Sequence, residues 1–308
     1  MKNIFKKIII ASSLLGLVFF YGCSEDDVLP IDVVVPNIDI SLSATTSDGT
    51  TLVDGGNVSA ADSFSIVISI TAEAGFNTLN TSGDVASSTI NRNDLDIASG
   101  TTNAEVTLTV STSNSLGDGS IDFEAVDEEG NTANASFSFV VVSPAAKIQT
   151  AVMLYAPLGD SSSQTFYSIA NNQTYSLGNV ISTSDPVSAS IDFGYYYGSS
   201  DNAALASPAE YTIYDLSAWG SQNVTTLAVT TITSAEYLEM VTVSDIETAI
   251  AGVDVTDANG TITNLSANDI LMFKTVDNVQ GLIHVSTITG TDGSDGMIEL
   301  EMKLAASE

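Results

Sequence analysis

The only histidine, His284, lies in Leu282-Ile283-His284-Val285-Ser286, where strand alternation groups it with Leu282 and Ser286. Without a second histidine or a nearby cysteine, neither an ordinary zinc site nor a Ser-His-Asp triad is expected around it. A histidine on a sheet surface of this kind is expected simply to be solvated. Paired carboxylates could hydrolyse a glycosidic bond, but with 38 acids in the chain the nearness of any two carries no information. A glycosidase cleft also needs several aromatic walls, and Trp219 is the only tryptophan. No G-x-S-x-G, phosphate-binding glycine loop or dinucleotide fingerprint occurs. The chain is therefore expected not to be an enzyme, and a secreted-type hydrolase ranks third among its possible functions.

Binding is the better expectation. Aromatic faces stack on sugar rings, and the densest aromatic group runs from Asp192 to Gly198. Alternation puts Phe193, Tyr195 and Tyr197 on one face and Asp192, Gly194 and Tyr196 on the other, so that one face is core and the other free. Tyr211, Tyr214 and Trp219 follow on the next helix and turn. The expected ligand residues are Tyr196, Trp219 and Tyr214 for stacking, with Asp192 or Asp215 accepting hydroxyls. For the cluster as a whole core packing is the leading expectation, and ligand contact by these residues is the alternative. Calcium readings attach to Asp292–Gly296, to residues 257–260, and to Asp127 with Glu128 or Asp122. None shows the twelve-residue ligand spacing, and hairpin turns explain them. No metal or cofactor is assigned, beyond weak calcium binding.

These residues need a scaffold, and composition supplies its class. Short alternating runs rich in Thr, Ser, Val and Ile lie between Gly, Asn and Asp clusters, an all-β signature. The expected fold is mainly β, with an N-terminal immunoglobulin-like β-sandwich and a second β-rich domain with short helices. In Phe64 to Ile70 the apolar residues 64, 66, 68 and 70 share one face. The first domain spans residues 37–143, its clearest strands at 38–43, 64–71, 105–111, 121–126 and 135–142. Ser143-Pro144 marks the boundary, and the distal domain spans 147–305. There Ser207-Pro208-Ala209-Glu210 and Ser244-Asp245-Ile246-Glu247 read as capping boxes, the second helix closing at Gly252. Three terminal strands, near 269–275, 281–288 and 297–304, read as an antiparallel meander.

The N-terminus reads as an address. Lys2, Lys6 and Lys7 precede an apolar run of about a dozen residues that matches a secretory signal and is too short for a comfortable membrane span. Gly22-Cys23 resembles the lipobox of bacterial lipoproteins, although Phe20 and Tyr21 stand where that family has Leu and Ala or Ser. The resemblance implies a signal peptide at 1–22, cleavage before Cys23 and a diacylglycerol anchor on its thiol. Ser24, Glu25, Asp26 and Asp27 resemble the acidic export signal of surface lipoproteins of Bacteroidota type, which implies display outward from the outer membrane. Residues 23–36 then serve as acylated cysteine and acidic tether. Beyond the signal, Arg92, Lys147, Lys274 and Lys303 face 38 acids, a formal charge of about −34. Such a surface repels nucleic acid. No cysteine remains for a disulfide.

Two further resemblances complete the picture. Asp127 to Ala133 followed by Ser136 to Val142 resembles the last hairpin of bacterial immunoglobulin-like domains, with its D-x-x-G-N-T-A turn. Ile191 to Gly198, Leu205-Ala206-Ser207-Pro208, Phe273-Lys274-Thr275 and Gly281 to Val285 resemble a β-rich domain of Bacteroidota lipoproteins that has no established activity. The expected function is non-catalytic binding at the cell surface, with a glycan as the first ligand class. The alternative is a structural or adhesive component of an outer-membrane complex that binds a surface protein.

Overall fold

The computed structural model describes residues 37–181, 187–254 and 260–307. The signal, Cys23, Ser24, Glu25, Asp26, Asp27 and most of residues 257–260 lie outside the described residues. Nine strands come first: β1 Ile38–Thr46, β2 Thr51–Leu52, β3 Gly56–Ser59, β4 Ser63–Ala72, β5 Phe76–Gly83, β6 Ser88–Asn91, β7 Asn103–Ser111, β8 Gly117–Asp127 and β9 Thr132–Val142. They form two sheets, β2-β1-β4-β7 and β3-β9-β8-β5-β6, with β3 parallel to β9 and every other pairing antiparallel. This is an immunoglobulin-like sandwich whose leading edge is shared between the sheets. Alternation does the work, since Phe64, Ile66, Ile68 and Ile70 of β4 meet Ile121, Phe123, Phe137 and Phe139 between the layers. The outward faces stay polar and exposed.

Asp127 closes the last hairpin as its sequence implies. Oδ1 accepts from the Glu129 and Asn131 N–H groups at 2.9 and 2.8 Å, and Oδ2 accepts from Asn131 Nδ2 at 2.7 Å. Burial alone would raise this carboxyl, but those hydrogen bonds hold it below the usual range. Its oxygens, and those of Glu128, which accept from Ser99 Oγ and the Gly100 N–H and pair with Arg92, are spent on the turn.

The second half contains β10 Ala146–Tyr155, β11 Gln164–Ser168, β12 Gln173–Ser176, α1 Leu177–Val180, β13 Phe193–Gly198, β14 Asn202–Ala206, β15 Thr226–Val229, α2 Ser234–Glu239, α3 Val243–Ala251, β16 Thr261–Ile262, β17 Ile270–Lys274, β18 Gln280–Thr289 and β19 Met297–Ser307. Its sheets are β10-β19-β18-β17-β15 and β12-β11-β13-β14-β16, all pairings antiparallel, and β17-β18-β19 is the expected meander. Three apolar layers are stacked here. Between the sheets, Leu271, Phe273, Ile283 and Val285 meet Tyr167, Phe193 and Tyr195. Ile270, Met272 and Leu282 face outward instead, under Tyr237 of α2 and Ile246 of α3. The third layer covers the far face of the β13 sheet.

Lys303 locks the helical layer down. It is 4% exposed, and Nζ donates to the Tyr237 and Met240 carbonyls at 2.7 and 2.8 Å, supplying donors to the end of α2. The cap of α3 corrects the sequence reading by two residues. Thr242 and Asp245 form its capping box, not Ser244 and Glu247. The reason is the linker: the Val243 and Ser244 N–H groups donate to the Pro144 carbonyl and Ser143 Oγ, both at 2.9 Å, so the helix begins against it. Gly252 does end that helix. Ser207 to Glu210 forms only a single 3-10 turn, and the Ser207 side chain does not cap it.

Candidate functional site

The aromatic group does not form an exposed platform. Trp219 is 7% and Tyr196 5% exposed, and both belong to a buried layer with Phe166, Ala204, Tyr211 and Leu216. Core packing, the leading expectation for the cluster, is what is found, and it holds on both faces of β13, so that neither face is free. Phe193 and Tyr195 point into the layer between the sheets, while Tyr196 points the other way. The segment 208–223 folds over that second face and brings Tyr211 and Trp219 with it. Phe166 and Trp219 meet edge-on at 4.8 Å between centroids, and Tyr196 and Tyr211 at 5.8 Å. Tyr214 is half-buried, its hydroxyl donating to the Leu158 carbonyl at 2.7 Å and accepting from the Leu158 N–H at 2.8 Å. Asp215 is exposed and accepts from the Ser217 N–H at 2.9 Å. These residues hold a loop on a sheet. They do not converge on one ligand.

The histidine expectation also changes. His284 is half-buried, its ring 5.2 Å from that of Tyr237, with Ser234 Oγ 3.5 Å from Nε2. Burial lowers its basicity, with Lys303 adding to that effect and Glu301 opposing it. Glu301 stands directly opposite His284 in register on β19. One histidine therefore suffices to gather the residue types of a triad, contrary to the counting argument above. The triad is nonetheless not assembled: among the described residues no hydrogen bond joins Glu301 to the ring, and Ser234 Oγ donates to the Asn268 carbonyl at 3.2 Å. Asp292 to Gly296 lies in the turn between β18 and β19.

Two concave features flank the turn between β11 and β12, one on each side. The first is a cleft of about 380 Å³ against the edge strand β10. Here β10 breaks its own pattern, since Ile148 is exposed and Gln149 is 1% exposed. A bulge between Gln149 and Val152 places Ala151 at φ 55°. Asn172, on the opposite wall, lies at φ 48°. At Ala151 the left-handed backbone carries a strain of about 1 kcal/mol or more, whereas Asn172 adopts it readily. Gln149 holds the bulge: its Nε2 donates to the Ile169 carbonyl at 2.7 Å, and its Oε1 lies 3.0 Å from the Tyr167 hydroxyl. That hydroxyl is also 2.6 Å from Asn172 Oδ1, and burial raises its pKa far above the usual phenol value. Thr150, Tyr155, Gln164, Gln173 and Thr174 line the rest with Met153, so that among the described residues no charged side chain takes part.

The second is a cavity of about 300 Å³ on the far side of the same turn, where Asp192 is 6% exposed. Its Oδ2 accepts from the Ile169 N–H at 2.7 Å. Burial pushes this carboxyl up to about 6, the Ile169 N–H opposing and Asp277 adding to the rise. Asp192 is thus placed neither with Trp219 nor in the uncharged cleft.

No protein-family model matches this chain, and no curated protein matches it. Among solved structures it is similar to a DUF4466 family protein from Parabacteroides merdae ATCC 43184, with a TM-score of 0.38 and 8% sequence identity over 86% of this chain and 98% of that one. At that level neither fold nor role is carried over. The two clefts went unnoticed in the sequence because each is built from segments that only the sheets bring together. The one local sign was the reversed polarity of Ile148 and Gln149 inside a strand.

Proposed function

We propose that this protein is a lipid-anchored surface protein of a Bacteroidota-type outer membrane that binds a neutral saccharide in the cleft beside β10 and does not transform it. The observation that supports this reading is the lining. In a chain with 38 acids, the described residues of the cleft present amides, hydroxyls, two tyrosines, a methionine, an alanine and a valine, and no charged group. Gln164 offers a donor and an acceptor and Asn172 and Gln173 offer their amide N–H groups, their oxygens meeting the Tyr167 and Tyr175 hydroxyls, a set that suits neighbouring sugar hydroxyls. Half-buried Tyr155 offers an apolar ring that a pyranose can cover. The anchor rests on Gly22-Cys23 and the basic and apolar run ahead of it.

A glycan array followed by calorimetry tests the binding. At least one neutral glycan binds saturably, and Tyr155→Ala or Gln173→Ala weakens it tenfold or more. An array without a hit, or a hit indifferent to both substitutions, ends this reading. Trp219 emission stays unchanged on binding, since the indole is buried and lines neither cleft. Labelling cells with an alkyne fatty acid tests the anchor, the label disappearing in Cys23→Ser. The second reading, a protein-binding component, draws support from β7, nine residues long at the open end of its sheet, although Glu105 in its exposed row guards against pairing.

A further inference from the structure

The cavity at Asp192 has chemistry of a different kind. Its apolar walls come from Ile169, Val187 and Val279, with the small side chains of Ala170 and Ala189 beside them. Among the described residues two carboxyl groups line it, Asp192 and the exposed Asp277 of the turn between β17 and β18, and no lysine, arginine or histidine does. Asp192 uses only one oxygen within the protein. Oδ2 takes the Ile169 N–H, and among the described residues no donor meets Oδ1. Oδ1 is also absent from the fully enclosed, unpartnered polar atoms, so its remaining contact with solvent is through the cavity it lines.

We propose that this cavity is a binding site for a small organic ammonium ion. The N–H groups of the ligand meet Asp192 Oδ1 and Asp277, and its hydrocarbon part lies against Ile169, Val187 and Val279. Other ligand classes fit less well. An anion would face two carboxylates and no cation. Calcium needs six to eight oxygens, and no cluster of three or more acidic, histidine or cysteine side chains able to hold a metal occurs among the described residues. A sugar would find few free partners, because Thr275 Oγ1 already accepts from the Val279 N–H at 3.1 Å. An ammonium with an aliphatic body satisfies both the acid and the walls, and a charge-assisted hydrogen bond is stronger in such a partly dry site.

The fold itself does not need the charge. An asparagine at 192 presents a carbonyl oxygen to the same Ile169 N–H, with no ion to bury. Ionised Asp192 thus pays a desolvation penalty, which an incoming cation relieves without protonating it. The site is independent of the uncharged cleft, and the two readings fail separately.

The test is ligand-observed NMR and calorimetry on the purified protein with n-butylammonium chloride, using n-butanol as the neutral comparison at fixed ionic strength. Wild type binds butylammonium saturably, with a Kd of about 1–10 mM, and n-butanol at least tenfold more weakly. Asp192→Asn weakens butylammonium tenfold or more, and Asp277→Asn two- to threefold. Ala189→Phe, at an exposed position lining the cavity, blocks it without touching the acid, and decides the matter alone if Asp192→Asn fails to fold. Non-saturating association, or binding that survives Ala189→Phe or a folded Asp192→Asn, would mean cations merely gathering on an acidic surface and overturns the proposal.

Discussion

Each half of the molecule buries an aspartate, and the two could hardly be treated more differently. Asp127 in the first sandwich is 0% exposed and accepts three hydrogen bonds from its own turn. Asp192 in the second half is 6% exposed and accepts one, with a cavity on its other side. The first is held below the usual carboxylate range and the second is pushed up to about 6. Burial acts on both, so the donors decide the outcome. In the first half an ionised side chain builds a turn. In the second, an ionised side chain works against the fold and remains available to something else.

The sheets repeat this contrast. The first half has two layers, and each strand buries one face and wets the other. The second half stacks three apolar layers, so strands such as β13 and β14 are buried on both faces. The sharpest way to break the comparison is therefore to cut away a second-face side chain in each half. Tyr196→Ala is expected to lose about 3–5 kcal/mol. Thr109→Ala, on the wet face of β7, should stay within about 0.5 kcal/mol of wild type. Urea unfolding followed by circular dichroism checks both, and equal losses would remove the distinction.

The aspartates give the next two effects, of opposite sign. Asp192→Asn is expected to stabilise the protein by up to about 3 kcal/mol at pH 8, this being the two-unit rise of Asp192 expressed as free energy. Because its folded-state pKa lies above the unfolded value, the stability linked to this group is complete below pH ~4 and is lost as pH rises through about 6. The gain from the asparagine accordingly fades on acidification, and unfolding at pH 8 and pH 4 reads it. Asp127→Ala is expected to lose about 2 kcal/mol, since its N–H partners are left without acceptors. Here the sign reverses. With a lowered folded-state pKa, the contribution of Asp127 is present above the unfolded pKa and disappears as pH falls through the folded one. The smallest effect is that of Asp277→Asn, which removes a neighbouring negative charge and moves the Asp192 titration downward, visible in carboxyl carbon NMR shifts.

Much of the first half was legible because alternation and turn chemistry are local. Phe64, Ile66, Ile68 and Ile70 announce a half-buried strand, and Asp127 with Gly130 and Asn131 announces its hairpin. β5 was missed, being rich in Asn and Thr and interrupted by a bulge between Phe76 and Thr78. In the second half, the alternation of Phe193, Tyr195 and Tyr197 against Tyr196 was correctly separable into faces, but nothing local says what covers a face. The cover over Tyr196 comes from the segment 208–223, and the helical cover over Met272 comes from α2 and α3. The partners of Asp192 likewise lie far off in the chain, at Ile169 and Asp277. Its environment is a property of the assembled sheets, and the residue type alone does not reveal it.

The strand order of the two halves also sets how each would carry a mechanical load. In the first, β3 runs parallel to β9, so tension applied between those two strands slides them past one another and strains all their shared hydrogen bonds together. In the second, the outermost pair is β10 and β19, antiparallel from Ala146 opposite Ser307 onward. Tension between those ends would part the pair one bond at a time, like a zip. The half carrying both clefts would thus open bond by bond when pulled by its own ends, whereas the β3–β9 pair would resist as a block.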